Sequence, residues 1–348
     1  MEAIKIGDRV VGRGAPVFVI AEAGVNHNGK VELAKKLIDA AKKAGADAIK
    51  FQIFSAERLV VKMAPKAAYQ SRTTGKGSQY EMLRKLELKE DGFRKLAAYA
   101  KRKNIIFLAS VFDENGVELL DELRVPAFKV PSGEITNFPL LKQIAMKKKP
   151  IILSTGMSTL GEIAEALEVI RGEGNNEIVL LHCLSDYPAK VEEMNLRAMN
   201  TLKEAFGLPV GLSDHTPNLT IPTAAAALGA TIIEKHFTLD RKLLGPDQKA
   251  SIEPDELREM VVRIREVEKA LGDGMKRPTK SETEMRLVGR KSIVAKIDIK
   301  KDTVITKEML TCKRPANGLE PKFLGKITGR TTKVDIKKDE KITWAKIK

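Results

Sequence analysis

Eight short apolar runs alternate with amphipathic segments across residues 17–236, and this alternation limits the possible folds more than any other feature of the chain. The runs cover residues 17–23, 46–53, 105–110, 127–130, 151–154, 178–182, 210–213 and 231–236. Between the first two runs, residues 33–41 carry an apolar stripe at helical spacing, and Gly45 ends this helix. Strands that alternate with helices form parallel sheets. Eight such units predict an α/β fold of the (β/α)8, or TIM, barrel type.

A doubly wound open sheet is the alternative architecture. Such a sheet more usually carries a G-x-G-x-x-G turn after its first strand. Residues 23–29 read AGVNHNG, which is a different pattern, so the closed barrel is favoured. One barrel takes about 250 residues, and the 348 residues of this chain therefore leave room for a small second domain.

A polar segment, residues 272–290, follows the last predicted helix. We expect it to link a barrel domain at 1–271 to a second domain at 291–348. In that domain IDIKKD at 297–302 returns as VDIKKD at 334–339, which predicts two similar charged turns rather than a repeat array. Within the barrel, residues 59–90 are too long and polar for an ordinary connection, and they are interpreted as an active-site loop.

The net charge of +15 raises the question of a nucleic-acid partner. Residues 281–348 hold 18 Lys and Arg against 9 Asp and Glu, but acidic residues are interspersed, and only 5% of the chain is aromatic. This pattern favours a solvated surface over a nucleic-acid site. The chain has neither the ~20-residue apolar run of a membrane span nor an amino-terminal secretory signal. With two cysteines and no disulfide framework, a cytoplasmic protein is expected.

All four histidines lie at or just after the ends of predicted strands: His27, His182, His215 and His236. The carboxyl ends of barrel strands form the catalytic face of this fold. His215 and His236 end adjacent strands, so their imidazoles could share one divalent ion and leave positions open for water or a substrate oxygen. The alternative is that they are ordinary core or surface histidines.

Two lysines are expected to point into the barrel. Lys50 and Gln52 alternate with apolar neighbours on the second run, and Lys129, followed by Ser132 and Glu134, repeats the pattern on the fourth. Hydroxyl groups end further runs, at Ser110, Ser154 and Ser213. Lysines and hydroxyls in a dry cavity predict a site for a phosphate and a carboxylate, although each serine alone could be a turn or cap residue.

One carboxylate, Glu22, interrupts the apolar first run. It is either an ion-pair partner for Lys50 or a proton-transfer group with a raised pKa, and the sequence leaves both possibilities open.

The motifs that contain these residues resemble the N-acetylneuraminate (sialic acid) synthase family. They are IAEAGVNHNG at 20–29, AGADAIKFQ at 44–52, KVPSGE at 129–134, LSTGM at 153–157, GLSDH at 211–215, EKHF at 234–237 and Arg314-Pro315. The match spans nearly the whole chain in order. The resemblance implies a (β/α)8 barrel followed by a small antifreeze-like (SAF) domain.

The same resemblance implies an activity. Family members condense phosphoenolpyruvate with an N-acetylated amino sugar aldehyde and release phosphate, with a divalent metal such as Mn2+ or Mg2+. N-acetylmannosamine would give N-acetylneuraminate, and the alternative is a legionaminic acid synthase acting on 2,4-diacetamido-2,4,6-trideoxymannose. Schiff-base aldolases and 3-deoxy sugar-phosphate synthases are the rival enzyme classes.

Roles for individual residues follow from the resemblance. His215 and His236 would be the metal ligands, and Glu22, Lys50 and Lys129 would be catalytic. The residues that would hold phosphoenolpyruvate are Lys50, Ser110, Lys129, Ser132, Ser154, Ser185 and Ser213. Those that would face the sugar are Gln52, Glu134, Tyr187, Asp247 and Arg314. The family supplies the arginine from the tail domain of a partner subunit, which implies a domain-swapped homodimer.

Overall fold

The computed structural model describes residues 3–12 and 14–348, and the chain divides into two compact units, Met1–Gly272 and Asp273–Lys348. The strands of the described residues are β1 (Ile4–Ile6), β2 (Arg9–Val11), β3 (Phe18–Gly24), β4 (Ala48–Ile53), β5 (Ile106–Val111), β6 (Phe128–Val130), β7 (Ile151–Ser154), β8 (Ile178–Cys183), β9 (Val210–Asp214), β10 (Ile232–His236), β11 (Ser292–Ala295) and β12 (Leu310–Lys313).

The helices of the same residues are α1 (Val31–Ala44), α2 (Ala56–Leu59), α3 (Ala68–Thr74), α4 (Gln79–Leu86), α5 (Glu90–Arg102), α6 (Glu114–Glu122), α7 (Phe138–Met146), α8 (Leu160–Gly172), α9 (Ala198–Phe206), α10 (Thr220–Ala227), α11 (Pro254–Leu271), α12 (Lys280–Gly289) and α13 (Leu324–Ile327). Short 3-10 helices occupy Ser132–Glu134, Val191–Glu193, Gln248–Ala250, Lys307–Met309, Pro321–Phe323 and Trp344–Lys346. None of these described helices is both long and apolar enough to span a bilayer.

Strands β3 to β10 form a closed parallel barrel in chain order, with β10 paired to β3. This confirms the predicted barrel, and each apolar run of the sequence coincides with one strand to within two residues. Helix α1 also follows its pattern, because Leu37, Ile38 and Ala41 are buried, and Gly45 ends the helix with a φ of 88°.

The amino-terminal half of the barrel interior is apolar. Inward side chains of the strands pack there with residues of the β1–β2 hairpin, which covers the amino-terminal end of the barrel. This cluster comprises Ile4, Ile6, Val11, Phe18, Ile20, Ala48, Leu108, Ala127, Ile152, Val179, Leu181 and Ile232. The alternate side chains of the same strands pack outward against the helices. Polar inward residues are therefore confined to the carboxyl ends of the strands.

The segment expected to be a loop at 59–90 is largely helical, since it contains α3 and α4. The sequence already carried one signal for this, because Ser78 and Glu81 form the capping box that begins α4. Met82 and Leu86 of α4 pack with Val25 and Phe54 in a small apolar cluster. The segment is thus attached to the carboxyl end of the barrel.

The second unit is built around an internal repeat. Its core consists of apolar side chains that include Ile293, Ile299, Ile305, Ile336 and Ile342. The two copies of the repeated motif face each other through an antiparallel bridge between Ile299 and Ile336. Asp298 Oδ1 accepts a hydrogen bond from the Lys338 amide at 2.8 Å, and Asp335 Oδ1 accepts one from the Lys301 amide at 2.8 Å. The two charged turns are therefore reciprocal caps.

The segment 272–290, described above as a polar linker, contains helix α12 in the structure.

Candidate active site

Lys50 lies inside the carboxyl end of the barrel with its charge satisfied by two neighbours. Its Nζ is 2.7 Å from Glu22 Oε2 and donates a hydrogen bond to Ser110 Oγ at 2.8 Å. All three residues are buried. The contacts follow from strand register, since Glu22 pairs with Lys50, and the strand that carries Ser110 is the next one. The structure shows the ion pair of Glu22 with Lys50, and the raised pKa described below makes the two possibilities for Glu22 compatible.

Lys129 occupies the equivalent place on β6, two strands further round the barrel. Its Nζ donates to Ser154 Oγ at 2.8 Å and lies 3.7 Å from Glu234 Oε1. Glu234 Oε1 is also 3.8 Å from Lys50 Nζ and accepts a hydrogen bond from Ser213 at 3.0 Å. Glu234 thus lies between the two lysines.

Sequence reasoning missed Glu234, although a signal was available. It is a carboxylate within a buried strand, as Glu22 is, and it shares the inward face with His236 two positions later. Two lysines and two carboxylates give this cluster no net charge when all four are ionised. Buried charges are tolerated when they are paired in this way.

The carboxylates of the cluster differ in acidity. Burial raises the pKa of Glu22 to about 7, against the opposing effect of Lys50. Burial also disfavours the charged form of Glu234, but Lys129 and Lys50 outweigh it and hold the pKa of Glu234 below its ordinary value. Glu22 is therefore the carboxylate of this cluster that is suited to exchange a proton near neutral pH.

Ser132 and Ser185 meet beside Gly156, in the turn after β7. Ser132 Oγ accepts a hydrogen bond from the Gly156 amide at 3.0 Å. A Cβ at Gly156 would lie 2.8 Å from Ser132 Oγ and in still closer contact with Ser185 Oγ. The turn therefore requires glycine for close approach, and it places an amide and two hydroxyls near the lysine cluster.

His215 and His236 come together as neighbours, with ring centroids 5.2 Å apart, and both are buried. His215 Nδ1 is 2.7 Å from the Leu184 carbonyl, which leaves Nε2 for a ligand. His236 Nδ1 is buried and has no hydrogen-bond partner within the part of the chain that the structure describes. Burial, followed by the effect of His215, lowers the pKa of His236 well below its ordinary value, so this imidazole is neutral as a metal ligand must be.

These features fit a divalent ion held by two imidazoles. Within residues 3–12 and 14–348, no group of three or more His, Cys, Asp or Glu side chains is placed to bind a metal. The remaining ligands would have to come from water or substrate, as in sites that keep open positions.

The other two histidines lie outside this pair. His182 Nε2 is 2.7 Å from the Met194 carbonyl. His27 Nδ1 accepts a hydrogen bond from the Gly29 amide at 3.0 Å, and burial lowers the pKa of His27 to about 4. Position at the end of a strand therefore did not distinguish these histidines from the pair, because His182 has the outward parity of Leu180 in β8 and His27 lies in the turn after β3.

Two of the expected sugar-facing side chains, Tyr187 and Asp247, lie beside the histidine pair, and a third, Gln52, contacts Glu22. Gln52 Nε2 donates to Glu22 Oε1 at 3.2 Å, and Asp247 Oδ2 lies 4.0 Å from His236 Nδ1. Burial raises the pKa of Asp247 to about 6. Tyr187 packs against both imidazoles, with ring centroids 4.1 Å from His215 and 5.5 Å from His236.

The remaining two expected residues are Glu134 and Arg314, and one additional residue, Tyr69, enters the site. Glu134 is half-buried after β6 and accepts a hydrogen bond from Asn137 Nδ2 at 2.8 Å. Arg314 belongs to the second unit, where it directly follows β12 and is exposed. Sequence reasoning did not single out Tyr69, which stacks on Tyr187 with ring centroids 5.2 Å apart. Tyr69 is in α3, so the helical segment contributes to the site.

A closed barrel with buried lysines, carboxylates and imidazoles at its carboxyl end places the first unit among TIM-barrel proteins whose site is at that end. Comparison with known proteins is more specific. The model of the NeuB family matches residues 37–276, and that of the SAF domain matches residues 290–348.

Individual relatives agree with these matches. An N,N'-diacetyllegionaminic acid synthase of Campylobacter jejuni is 52% identical over 325 residues, covering 91% of this chain and 97% of the relative. The N-acetylneuraminate-9-phosphate synthase of Homo sapiens is 38% identical over 336 residues, covering 96% and 93% respectively. The crystal structure of N-acetylneuraminic acid (sialic acid) synthetase from Leptospira borgpetersenii, in complex with citrate, has a TM-score of 0.73 at 36% identity and covers 82% of this chain and 95% of that one.

The chain therefore belongs to the NeuB family of sialic-acid-type synthases, and it carries a carboxyl-terminal SAF domain.

Proposed function

We propose that the protein condenses phosphoenolpyruvate with an acetamido sugar aldehyde to give a nine-carbon 2-keto-3-deoxy acid and phosphate. The observation that carries this proposal is the paired cluster of Lys50, Lys129, Glu22 and Glu234 at the same end of the barrel as the neighbouring imidazoles of His215 and His236. A dianionic phosphate needs cations, and an aldehyde oxygen needs a Lewis acid. The lysines would meet the first need, and a divalent ion held by the imidazoles would meet the second.

The lysines and hydroxyls hold phosphoenolpyruvate in this proposal. Lys50 and Lys129 neutralise its charge, and hydroxyls from Ser110, Ser132, Ser154, Ser185 and Ser213 orient it. The enol carbon then forms a bond to the aldehyde carbon, water adds to the carbon that bears phosphate, and the C–O bond to phosphate breaks. The lysines stabilise phosphate as it leaves, so they act at the charge that develops in the reaction.

His215 and His236 hold the divalent ion, Mn2+ or Mg2+, in the same proposal. When bound, this ion supplies Lewis-acid polarisation of the aldehyde oxygen. Tyr187, packed on both rings, keeps the imidazoles in place. Glu22 exchanges a proton with the reacting groups, since its pKa of about 7 lets it do so near neutral pH.

The acceptor that we favour is 2,4-diacetamido-2,4,6-trideoxymannose. The support is the 52% identity to the Campylobacter jejuni legionaminic acid synthase, against 38% to the human N-acetylneuraminate-9-phosphate synthase. N-acetylmannosamine is the second candidate, supported by the likeness to the Leptospira borgpetersenii sialic acid synthetase. Gln52, Glu134, Tyr187, Asp247 and Arg314 are the residues proposed to contact the sugar.

A phosphate-release assay with phosphoenolpyruvate and a panel of acetamido sugars tests this function. We expect turnover with the diacetamido sugar to exceed that with N-acetylmannosamine, loss of turnover in EDTA, and recovery on adding Mn2+. His236→Ala should abolish turnover, whereas His182→Ala, outside the histidine pair, should retain most of it. If the protein keeps full activity in EDTA, and metal analysis shows that no metal is bound, the proposed metal dependence is wrong. Borohydride trapping of a substrate on Lys50 or Lys129 would indicate a Schiff-base aldolase instead.

A further inference from the structure

A buried ion pair lies on the outer side of the barrel wall, directly beside the two histidines in sequence. Lys235 Nζ is 2.5 Å from Asp214 Oδ2, and the side chains are 1% and 0% exposed. Asp214 precedes His215, and Lys235 precedes His236. Neither residue belongs to the lysine cluster inside the barrel.

The pair is set by strand register. Lys235 pairs with Asp214 across β9 and β10, and the preceding residues Glu234 and Ser213 pair in the same way. Because successive strand residues point to opposite faces, the pair Ser213–Glu234 bonds inside the barrel while Asp214–Lys235 bonds outside it. A slip of one residue would move an imidazole to the wrong face. The ion pair therefore holds the register on which the meeting of the histidines depends.

The same ion pair also fastens the turn after His215. Lys235 Nζ donates to the carbonyl of Asn218 at 3.0 Å and to that of Thr216. The Asp214 carboxylate accepts from the Thr216 amide at 2.9 Å and from the Thr216 hydroxyl at 3.1 Å. These hydrogen bonds therefore join the ion pair to Thr216 and Asn218, which directly follow His215 in the turn.

We propose that the Asp214–Lys235 pair is a positioning device that sets the separation and orientation of His215 and His236, and thereby the affinity of the site for a divalent ion. The inference rests on the metal site of the proposed function. A buried ion pair often adds little stability compared with apolar residues of similar size, so stability alone does not account for it. Groups that orient metal-binding histidines from outside the ligand set change metal affinity by about 10- to 100-fold.

The decisive variant is the double substitution Asp214→Leu/Lys235→Met, which removes both charges together. Its unfolding temperature should fall, because the Thr216 amide and the Thr216 and Asn218 carbonyls lose their partners, although no charge is left buried alone. We expect its Kd for Mn2+, measured by calorimetry on the full chain, to rise about 10- to 100-fold. Asp214→Asn/Lys235→Met is the second variant, in case the first does not fold, because it also leaves no charge buried alone and its side-chain amide oxygen can still accept from the Thr216 amide.

Arg265→Met is the matched control. Arg265 bonds Asp47 at 3.2 Å at the opposite end of the barrel, so its loss should lower stability without changing Mn2+ affinity. Nitrogen NMR of the imidazoles gives a readout that needs no metal, and the double variant should shift the signals of both His215 and His236. If the wild type binds no Mn2+ but these signals shift, the metal is wrong and the positioning inference stands. Wild-type Mn2+ affinity and unchanged imidazole signals in the folded variants would overturn the inference.

Discussion

At the scale of single residues, the two carboxylates of the barrel mouth explain how two lysines remain buried close together. Lys50 and Lys129 would repel each other if they stood alone, and desolvation would favour their neutral forms. Glu234 lies within 4 Å of both and Glu22 forms a close ion pair with Lys50. The cations are therefore held in position before an anionic substrate arrives.

Gly156 provides a test of the proposed phosphoenolpyruvate contacts. Gly156→Ala would push Ser185 and Ser132 away from the turn, because the new Cβ would overlap their hydroxyls. We expect kcat/KM for phosphoenolpyruvate to fall about 10- to 100-fold, and the unfolding temperature to fall as well, because the Cβ would also lie 3.2 Å from the Cys183 carbonyl oxygen. Steady-state kinetics with phosphoenolpyruvate varied would measure this.

Gly161→Ala is the control for that substitution. The nearest atom that a Cβ at Gly161 would meet is Thr159 Oγ1 at 3.8 Å, an ordinary contact. It should leave kcat/KM unchanged. Equal losses in the two variants would mean that the serines beside Gly156 do not bind substrate.

His27 makes stability depend on pH. Its folded pKa of about 4 lies below the ordinary value of 6.5, so the unfolded chain binds more protons between these values. The contribution of neutral His27 to the free energy of unfolding is therefore fully present above pH 6.5 and is lost as the pH falls towards 4. The loss amounts to about 3 kcal/mol for this group.

Urea unfolding of the wild type and His27→Asn from pH 7 to pH 4 measures this contribution. The asparagine amide does not titrate, so the variant should be less stable at pH 7 and lose less stability on acidification. Parallel curves for the two proteins would show that the pKa of His27 is the same in the folded and unfolded states.

At the scale of elements, helices α3 and α4 act as a cover attached to the barrel. Tyr69 of α3 stacks on Tyr187, which in turn packs on His215, so a short helix contributes to the order of the histidine pair. Tyr69→Ala should lower kcat/KM for the sugar about threefold to tenfold, whereas Tyr69→Phe should keep the ring contact and remain near the wild type. Similar losses in both variants would assign the effect to the hydroxyl instead.

In the second unit, the repeated motif shows how local chemistry builds an element pair. The aspartate of each copy caps the turn of the other copy and also forms an ion pair with a lysine of that other copy. These ion pairs join Lys300 to Asp335 at 3.1 Å and Lys337 to Asp298 at 3.2 Å. The two motifs thus form a pair of turns with approximate two-fold symmetry. Each copy satisfies the other, which explains why two copies are sufficient to complete the arrangement.

At the scale of the whole molecule, the resemblance to the family leads us to propose a homodimer in which Arg314 completes the partner's site. Arg314→Ala and His236→Ala should each be inactive. After complete subunit exchange, a mixture of the two should recover about a quarter of wild-type activity, because half of the dimers are mixed and each has one intact site. Mass spectrometry verifies that the subunits have exchanged. If no activity is recovered after that, each chain completes its own site.

The sequence by itself determined the barrel and much of its inner surface. Hydrophobic alternation is a local property, so the eight strands and the inward direction of Lys50 and Lys129 follow from short segments. The order of motifs along the chain added the family and the list of candidate site residues.

Only the tertiary structure decided which of those residues meet. Strand alternation already excludes His182, which has the outward parity of Leu180 in β8. The place of His27 and the meeting of His215 with His236 depend instead on contacts between different parts of the chain. Glu234 between the lysines and Tyr69 over Tyr187 are contacts between distant parts of the chain. Periodicity predicts the face to which a side chain points, but packing between elements determines what it touches there.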